Sequence, residues 1–432
     1  MKLAIFSSLI TLVTLAGSLQ AQSTYEPYYF SLYAGMPGVL GAMDGIGSNA
    51  TLNSPQGIAT DGAGNVYIAD TGNNTVRKIL PDKTVTTLAG SPGMSGSTNG
   101  QGSVARFNLL QGVAAEAGGT VYVADTLNNT IRKISPTGLV TTFAGAPDTY
   151  GSADGTGATA RFNYPIGLAV DGSSNVYVAD SGNNTIRKIT SAGVVTTLAG
   201  SAGHPGFADG SGPIAQFCSP RGVAVDSSGV VYVADACNAT IRRISPAGQV
   251  TTLAGLAGSQ GSADGNANAA RFSDARGIAV DGVGNLYVAD TGNSTVRRLS
   301  PSGTVTTLGG VAGVPGSADG VGNASKFNFP QGIAASGAGR IYLSDTNNHL
   351  VRVAGPGPAP LSLRISDVMN SLSQLTGEAP PNASILISSA PDLIASFSPV
   401  ATVVTDSNGN FWYHDSSSFM KRFYKASFSS AP

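Results

Sequence analysis

Short apolar runs alternate with clusters of Gly, Asn, Ser and Asp through most of the chain, and no apolar period of 3.6 residues competes with them. Between Gly167 and Gly200 the runs are GLAV (Gly167 to Val170), VYVAD (Val176 to Asp180), TIRKI (Thr185 to Ile189) and VVTTLAG (Val194 to Gly200). Asp171-Gly-Ser-Ser-Asn, Ser181-Gly-Asn-Asn and Ser191-Ala-Gly lie between them. Gly and Asn tolerate positive φ, so these clusters read as tight turns. The pattern predicts a unit of four antiparallel strands.

That unit recurs. VYVADSGNNTIRKI around Asp180 returns as VYIADTGNNTVRKI, VYVADTLNNTIRKI, VYVADACNATIRRI, LYVADTGNSTVRRL and IYLSDTNNHLVRV. Asp70, Asp125, Asp180, Asp235, Asp290 and Asp345 step by 55 residues, and so do Arg77, Arg132, Arg187, Arg242, Arg297 and Arg352. Six units repeated without an insertion predict an all-β fold, a six-bladed β-propeller. Tyr29 to Gly35 fits the outer-strand pattern TVTTLAG, whereas the sixth unit has no such strand after Arg352. The N-terminal segment is therefore expected to complete the last blade and remove an exposed edge.

The pattern xGIAVDxxGNVYVADxxNNxIRKI resembles the NHL repeat family over residues 28–354. The resemblance implies a propeller, and it leaves function open because a fold does not choose its chemistry. Proteins of that family include interaction modules, and the wider six-bladed group includes lyases and lactonases.

Composition narrows the partners. Charged residues are 11% of the chain and the net charge is −1. Without a basic field to collect phosphates, nucleic acid is excluded as an expected partner. Lys2, the apolar stretch Leu3 to Ala16 and the small residues up to Ala21 read as a signal peptide over residues 1–21, cut after Ala21 or alternatively Ser18. A secreted, periplasmic or cell-surface protein is expected, with no transmembrane segment and a monomeric propeller. Residues 355–360 form a Pro/Gly linker. Residues 361–432 read as a small β-sandwich with a hairpin turn at Asp406-Ser-Asn-Gly-Asn410. Their ending resembles Ig-like modules of secreted bacterial proteins, a sorting domain being the alternative.

Whatever occurs in all six copies is expected to build blades. The repeated Asp and Arg read as a structural ring, and Leu52, Phe107, Phe162, Phe217, Phe272 and Phe327 as interblade packing. Positions that vary between copies are the site candidates. Gln56, Gln111, Ile166, Arg221, Arg276 and Gln331 stand just before each inner strand, at the channel mouth. Arg221 and Arg276, on adjacent blades, suit a carboxylate or phosphate, with solvated rim residues or ties between blades as the alternative.

Metal chemistry finds little support. Amidating lyases of the six-bladed group need a histidine set, and His204, His349 and His414 occupy three different contexts. Gluconolactonase-like enzymes need an acidic cluster at the channel, where this chain has Gln, Arg and Ile. The turn acids Asp61, Glu116, Asp171, Asp226 and Asp281 belong to the opposite face. Asp44, Asp154, Asp209, Asp264 and Asp319 in Asp-Gly loops read as turns, calcium binding being the alternative. Cys218 and Cys237, both in the fourth unit, suggest a disulfide, two free thiols being the alternative. The resulting expectation is a cofactor-free, exported, non-enzymatic scaffold that presents its loop-rich face to a protein, glycan or small anion. A hydrolase or lyase acting at the channel mouth is the competing reading.

Overall fold

The computed structural model describes residues 28–336 and 339–356, and beyond them the strands Ser362–Ser366, Ser373–Glu378, Ser384–Ala390, Ser398–Val404, Asn410–Asp415 and Phe423–Phe428. The expected signal peptide and most of the linker lie outside the described residues. Six antiparallel sheets, one per 55-residue unit, form the blades. In the third blade the strands run from inside to outside as Pro165–Val170, Val176–Asp180, Thr185–Ile189 and Val194–Ala199. A fifth, two-residue strand, Gly155–Thr156, pairs with the outer edge and comes from the preceding loop. The four-strand expectation missed it because two residues leave no periodicity to read.

The ring closes through its ends. Tyr28–Ala34 pairs antiparallel with Leu350–Pro356, placing the chain's first described strand on the outside of the sixth blade. Hydrophobic side chains gather in six clusters, each between two adjacent blades. The recurring Leu52 and phenylalanines are fully buried within them. Past the propeller the six strands form two three-stranded antiparallel sheets. The expected Ig-like sandwich packing depends on side chains outside the described residues.

Each blade contains a buried ionic knot. Asp180 and Arg187 are both 0% exposed. The Asp180 carboxylate accepts from the Asn163 N–H (2.7 Å), Asn183 Nδ2 (2.7 Å) and Arg187 Nη1 (2.8 Å). Burial pushes Asp180 up to about 6, which leaves it ionised at neutral pH. Arg187 also donates to the Arg161 carbonyl (2.9 Å) and to Asp154 Oδ1 (2.7 Å), and its guanidinium lies 5.3 Å from the Phe162 ring centre. The knot therefore clamps the turn between the second and third strands to the loop that leads into the blade. Asp44, Asp209, Asp264 and Asp319 pair with their blade's arginine in the same way, while Asn99 takes that place in the second blade. These Asp-Gly residues are thus counter-ions as well as turn formers.

A second brace runs between blades. The residue before each inner strand adopts the left-handed region, with φ between 48° and 57° at Ser54, Leu109, Tyr164, Ser219, Asp274 and Phe329. In several blades the last Asn of the preceding turn holds that strained backbone: Asn74, Asn129 and Asn184 accept from the N–H of Leu109, Tyr164 and Ser219. At the closure His349 does so, its Nδ1 accepting from the Ser54 N–H at 3.0 Å. In five blades the hydroxyl after the ring aspartate adds a further tie, as Thr126 Oγ1 does to the Pro165 carbonyl (2.8 Å). Blade four has Ala236 at that position and carries a disulfide instead, Cys218–Cys237, with Cα atoms 5.2 Å apart.

Three outcomes follow from these contacts. Asp180→Ala leaves the buried Arg187 charge only the half-exposed Asp154 as counter-ion and is expected to cost about 3 kcal/mol in urea unfolding; unchanged stability would reverse the structural assignment. Reduction, or Cys218→Ser with Cys237→Ser, is expected to remove roughly 3 kcal/mol, since a loop of 19 residues is released on unfolding. Burial holds the His349 imidazole below its ordinary value of 6.5. The unfolded chain therefore takes up that proton first, so stability is full above pH 6.5 and falls as the pH drops below it. Thermal unfolding between pH 7.5 and 5 should show a slope that is reduced in His349→Asn, which installs the residue of the first three blades.

Candidate functional site: the channel mouth

The inner strands stand side by side around a central channel whose wall has three tiers. The six predicted mouth residues form the first, and Gly57, Gly112, Gly167, Gly222, Gly277 and Gly332 the second. Aliphatic side chains such as Ile58 and Leu168 form the third. The glycine tier is a steric requirement. A Cβ on Gly112 would run into the Ile166 carbonyl oxygen, and one on Gly332 into that of Gln56, well inside van der Waals contact. Every copy meets the next blade's backbone in this manner. What remains is a cavity of about 70 Å³. Small-molecule pockets usually begin near ~300 Å³, so only a small group enters here while the rest of a ligand stays at the mouth.

All six predicted positions converge on the mouth, but the two arginines differ in role. Arg276 is held on several sides. Its Nε and Nη2 lie 2.9 and 2.8 Å from Asp274 Oδ2, and its Nη1 donates to Gln331 Oε1 at 2.9 Å. Its guanidinium also sits 4.5 Å from the centre of the Phe329 ring. Arg276 therefore ties the fifth blade to the sixth. Arg221 has a side chain 25% exposed and stands 3.9 Å from the nearest Asp274 oxygen. Burial first, and the Arg276 charge second, pull its pKa below the ordinary guanidinium value. Guanidinium keeps its proton in proteins, so the pair carries positive charge that Asp274 only partly offsets. Gln111 closes another sector, its Nε2 donating to the Tyr164 hydroxyl at 3.3 Å.

Tyr164, Asp274 and Phe329 were not foreseen from the sequence. They belong to the left-handed positions two residues before the mouth ring, and the signal was present: the position steps by 55 and differs in almost every copy. The sequence-predicted acids lie elsewhere. Asp61, Glu116, Asp171, Asp226 and Asp281 each accept from the tyrosine hydroxyl of their own blade on the opposite face, as Tyr67 donates to Asp61 at 2.9 Å. Among the described residues no three of His, Cys, Asp and Glu come together as a metal-holding group. No helix among them is long and apolar enough to cross a membrane.

Comparison with known proteins agrees with this architecture. The NHL repeat matches residues 52–79, 162–189, 217–244, 272–299 and 327–354. The chain is 30% identical over 338 residues to NHL repeat-containing protein 2 of Gallus gallus, covering 69% of this chain and 46% of that protein. It is 32% identical over 284 residues to Protein SUPPRESSOR OF QUENCHING 1, chloroplastic, of Arabidopsis thaliana, covering 61% and 26%. The chain thus spans less than half the length of these curated relatives. Among solved structures it resembles a protein of unknown function from Bacteroides thetaiotaomicron VPI-5482, with a TM-score of 0.60 at 21% identity over 76% of each chain. An auxiliary nutrient binding protein from Bacteroides ovatus ATCC 8483 gives 0.57 at 16% identity, also over 76% of each. At these identities the likeness is one of fold. The 55-residue unit read from the sequence is an NHL repeat, recognised in five of the six blades of this propeller.

Proposed function

We propose that the protein is an exported scaffold that binds a small anion at the channel mouth. The observation that carries this reading is the Arg221–Arg276 pair, two guanidinium groups on adjacent blades that share the single Asp274 carboxylate. Arg276 is pre-oriented by Asp274, Gln331 and Phe329, which lowers the entropic cost of meeting a ligand. Arg221 supplies the charge still to be satisfied. A carboxylate or phosphate entering the narrow mouth takes bonds from Arg221, with Gln56 and Gln111 completing the rim. Export is supported by the N-terminal apolar stretch and by the Cys218–Cys237 disulfide, since disulfides persist in oxidising compartments. The auxiliary nutrient binding role described for the similar Bacteroides ovatus propeller is of the same kind.

The hydrolase or lyase alternative needs a nucleophile, base or metal set facing the channel. The channel lining offers Gln, Arg, Gly and aliphatic side chains, and Asp274 beside it is already engaged by Arg276. Binding is therefore the better-supported reading.

Titration calorimetry with a panel of small carboxylates and inorganic phosphate tests it. Arg221→Gln, which installs the residue of three other blades, is expected to weaken binding about 10- to 100-fold, the loss of one charge-assisted interaction. Binding that persists unchanged in an Arg221→Gln, Arg276→Gln double variant would remove the site.

A further inference from the structure

A second cavity, larger than the channel's, lies on the opposite face, along the seam where the sixth blade meets the first. It has a volume of about 650 Å³, and its walls include Tyr29, Tyr33, Lys83, Ser336, Arg340 and Tyr342. Five of these six positions depart from what most or all of the other blades carry.

Lys83 stands where four blades have Gly138, Gly193, Gly248 and Gly303, and it adopts their left-handed backbone, with φ of 69°. A lysine at such a site costs about 1 kcal/mol or more relative to glycine. Arg340 replaces Asn65, Asn175 and Asn285. Ser336 replaces the turn acid that every other blade carries. Tyr33 replaces Leu88, Leu198, Leu253, Leu308 and the Phe143 of the second blade, and Tyr29 stands where none of the other outer strands has an aromatic residue.

The substitutions act in one direction. In five blades the second-strand tyrosine donates to its turn acid. At the seam that acid is gone, and Tyr342 packs edge-to-face on Tyr33 at 5.1 Å. Lys83 Nζ lies 5.8 Å from the Tyr33 ring centre. Two cations thus border a cleft whose walls, among the described residues, contain no carboxylate. Asp82 is close by, but its carboxylate is turned to the Thr84 N–H at 2.9 Å. Tyr29, 48% exposed, offers an accessible ring at the edge, and Ser31, Thr60 and Ser336 add hydroxyls.

We infer that this seam cleft is a binding site for an acidic saccharide, a hexuronate unit of an oligosaccharide. The C–H face of a pyranose packs on a tyrosine ring, the hydroxyl groups of the cleft match sugar hydroxyls, and Lys83 and Arg340 take the carboxylate. The volume falls within the usual range for a small-molecule site. Nothing in this inference depends on the channel mouth, which lies on the other face.

Binding of a galacturonate trisaccharide to the full chain, measured by calorimetry at low salt, tests the inference, with the neutral galactose trisaccharide beside it. Lys83→Gly and Arg340→Asn install residues found in other blades, so folding is preserved and is checked by thermal unfolding. The acidic sugar is expected to bind at least 10-fold tighter than the neutral one. The Lys83→Gly, Arg340→Asn double variant is expected to lose at least that factor, and Tyr29→Ala to weaken both sugars. An Arg221→Gln, Arg276→Gln variant should bind the trisaccharide as the unaltered protein does. Absence of binding at millimolar concentration, equal affinity for both sugars, or full affinity in the Lys83, Arg340 double variant would each overturn the assignment. Loss of trisaccharide binding in the channel variant alone would also overturn it, by moving the sugar to the mouth.

Discussion

The contact on which the rest of this molecule depends is the approach of each inner strand to the next blade's backbone. At Gly57, Gly112, Gly167, Gly222, Gly277 and Gly332 there is no room for a Cβ, so the six strands converge until glycine meets carbonyl. That convergence sets the size of the channel. It also turns the preceding side chain toward the loop-rich face, where three glutamines, two arginines and an isoleucine meet at the mouth. A wider ring would have left a deep ligand cavity, whereas this one leaves only a narrow opening and pushes recognition outward.

Holding such a ring together in a chain with few charges falls to buried ion pairs. In each knot the carboxylate and the arginine's terminal nitrogens find partners, as at Asp180 and Arg187, which lets the charges stay buried although each arginine's Nε has no hydrogen-bond partner. What the knot contributes is position. By clamping turn to loop in every blade, it fixes the residue that enters the inner strand, including the strained Asp274 and Phe329 that orient Arg276.

Much of this was legible in the sequence, and the reason is repetition. A 55-residue step visible in Asp, Arg, Phe and Gly implies equivalent environments, so blade number, strand order, closure by Tyr28–Ala34 and the disulfide could all be anticipated. The same logic located the mouth ring by number. It could not tell Arg276 from Arg221, because the difference lies in contacts to Asp274, Gln331 and Phe329. Two of those partners sit at the neighbouring variable position, and their aim toward the channel depends on a left-handed backbone that composition does not announce in non-glycine residues. The Asp-Gly loops were likewise read as turns. Their second role as counter-ions appears only when the fold brings Asp154 beside Arg187, 33 residues away.

Repetition also gives a way of reading what is not shared. In a ring of equivalent blades, a residue that breaks the pattern at a structural cost needs a local reason. Lys83 is the clearest case, since glycine fits its left-handed turn better and four blades use it. It does not act as a counter-ion to a buried acid; it stands at the border of a cleft from which the blade-specific acid has been removed. The seam is where such departures are easiest to accommodate. There the outer strand comes from the other end of the chain, so Tyr29 and Tyr33 vary without disturbing a continuous blade. Closure by a strand from the far terminus therefore does more than remove an exposed edge: it places one blade interface under separate sequence control.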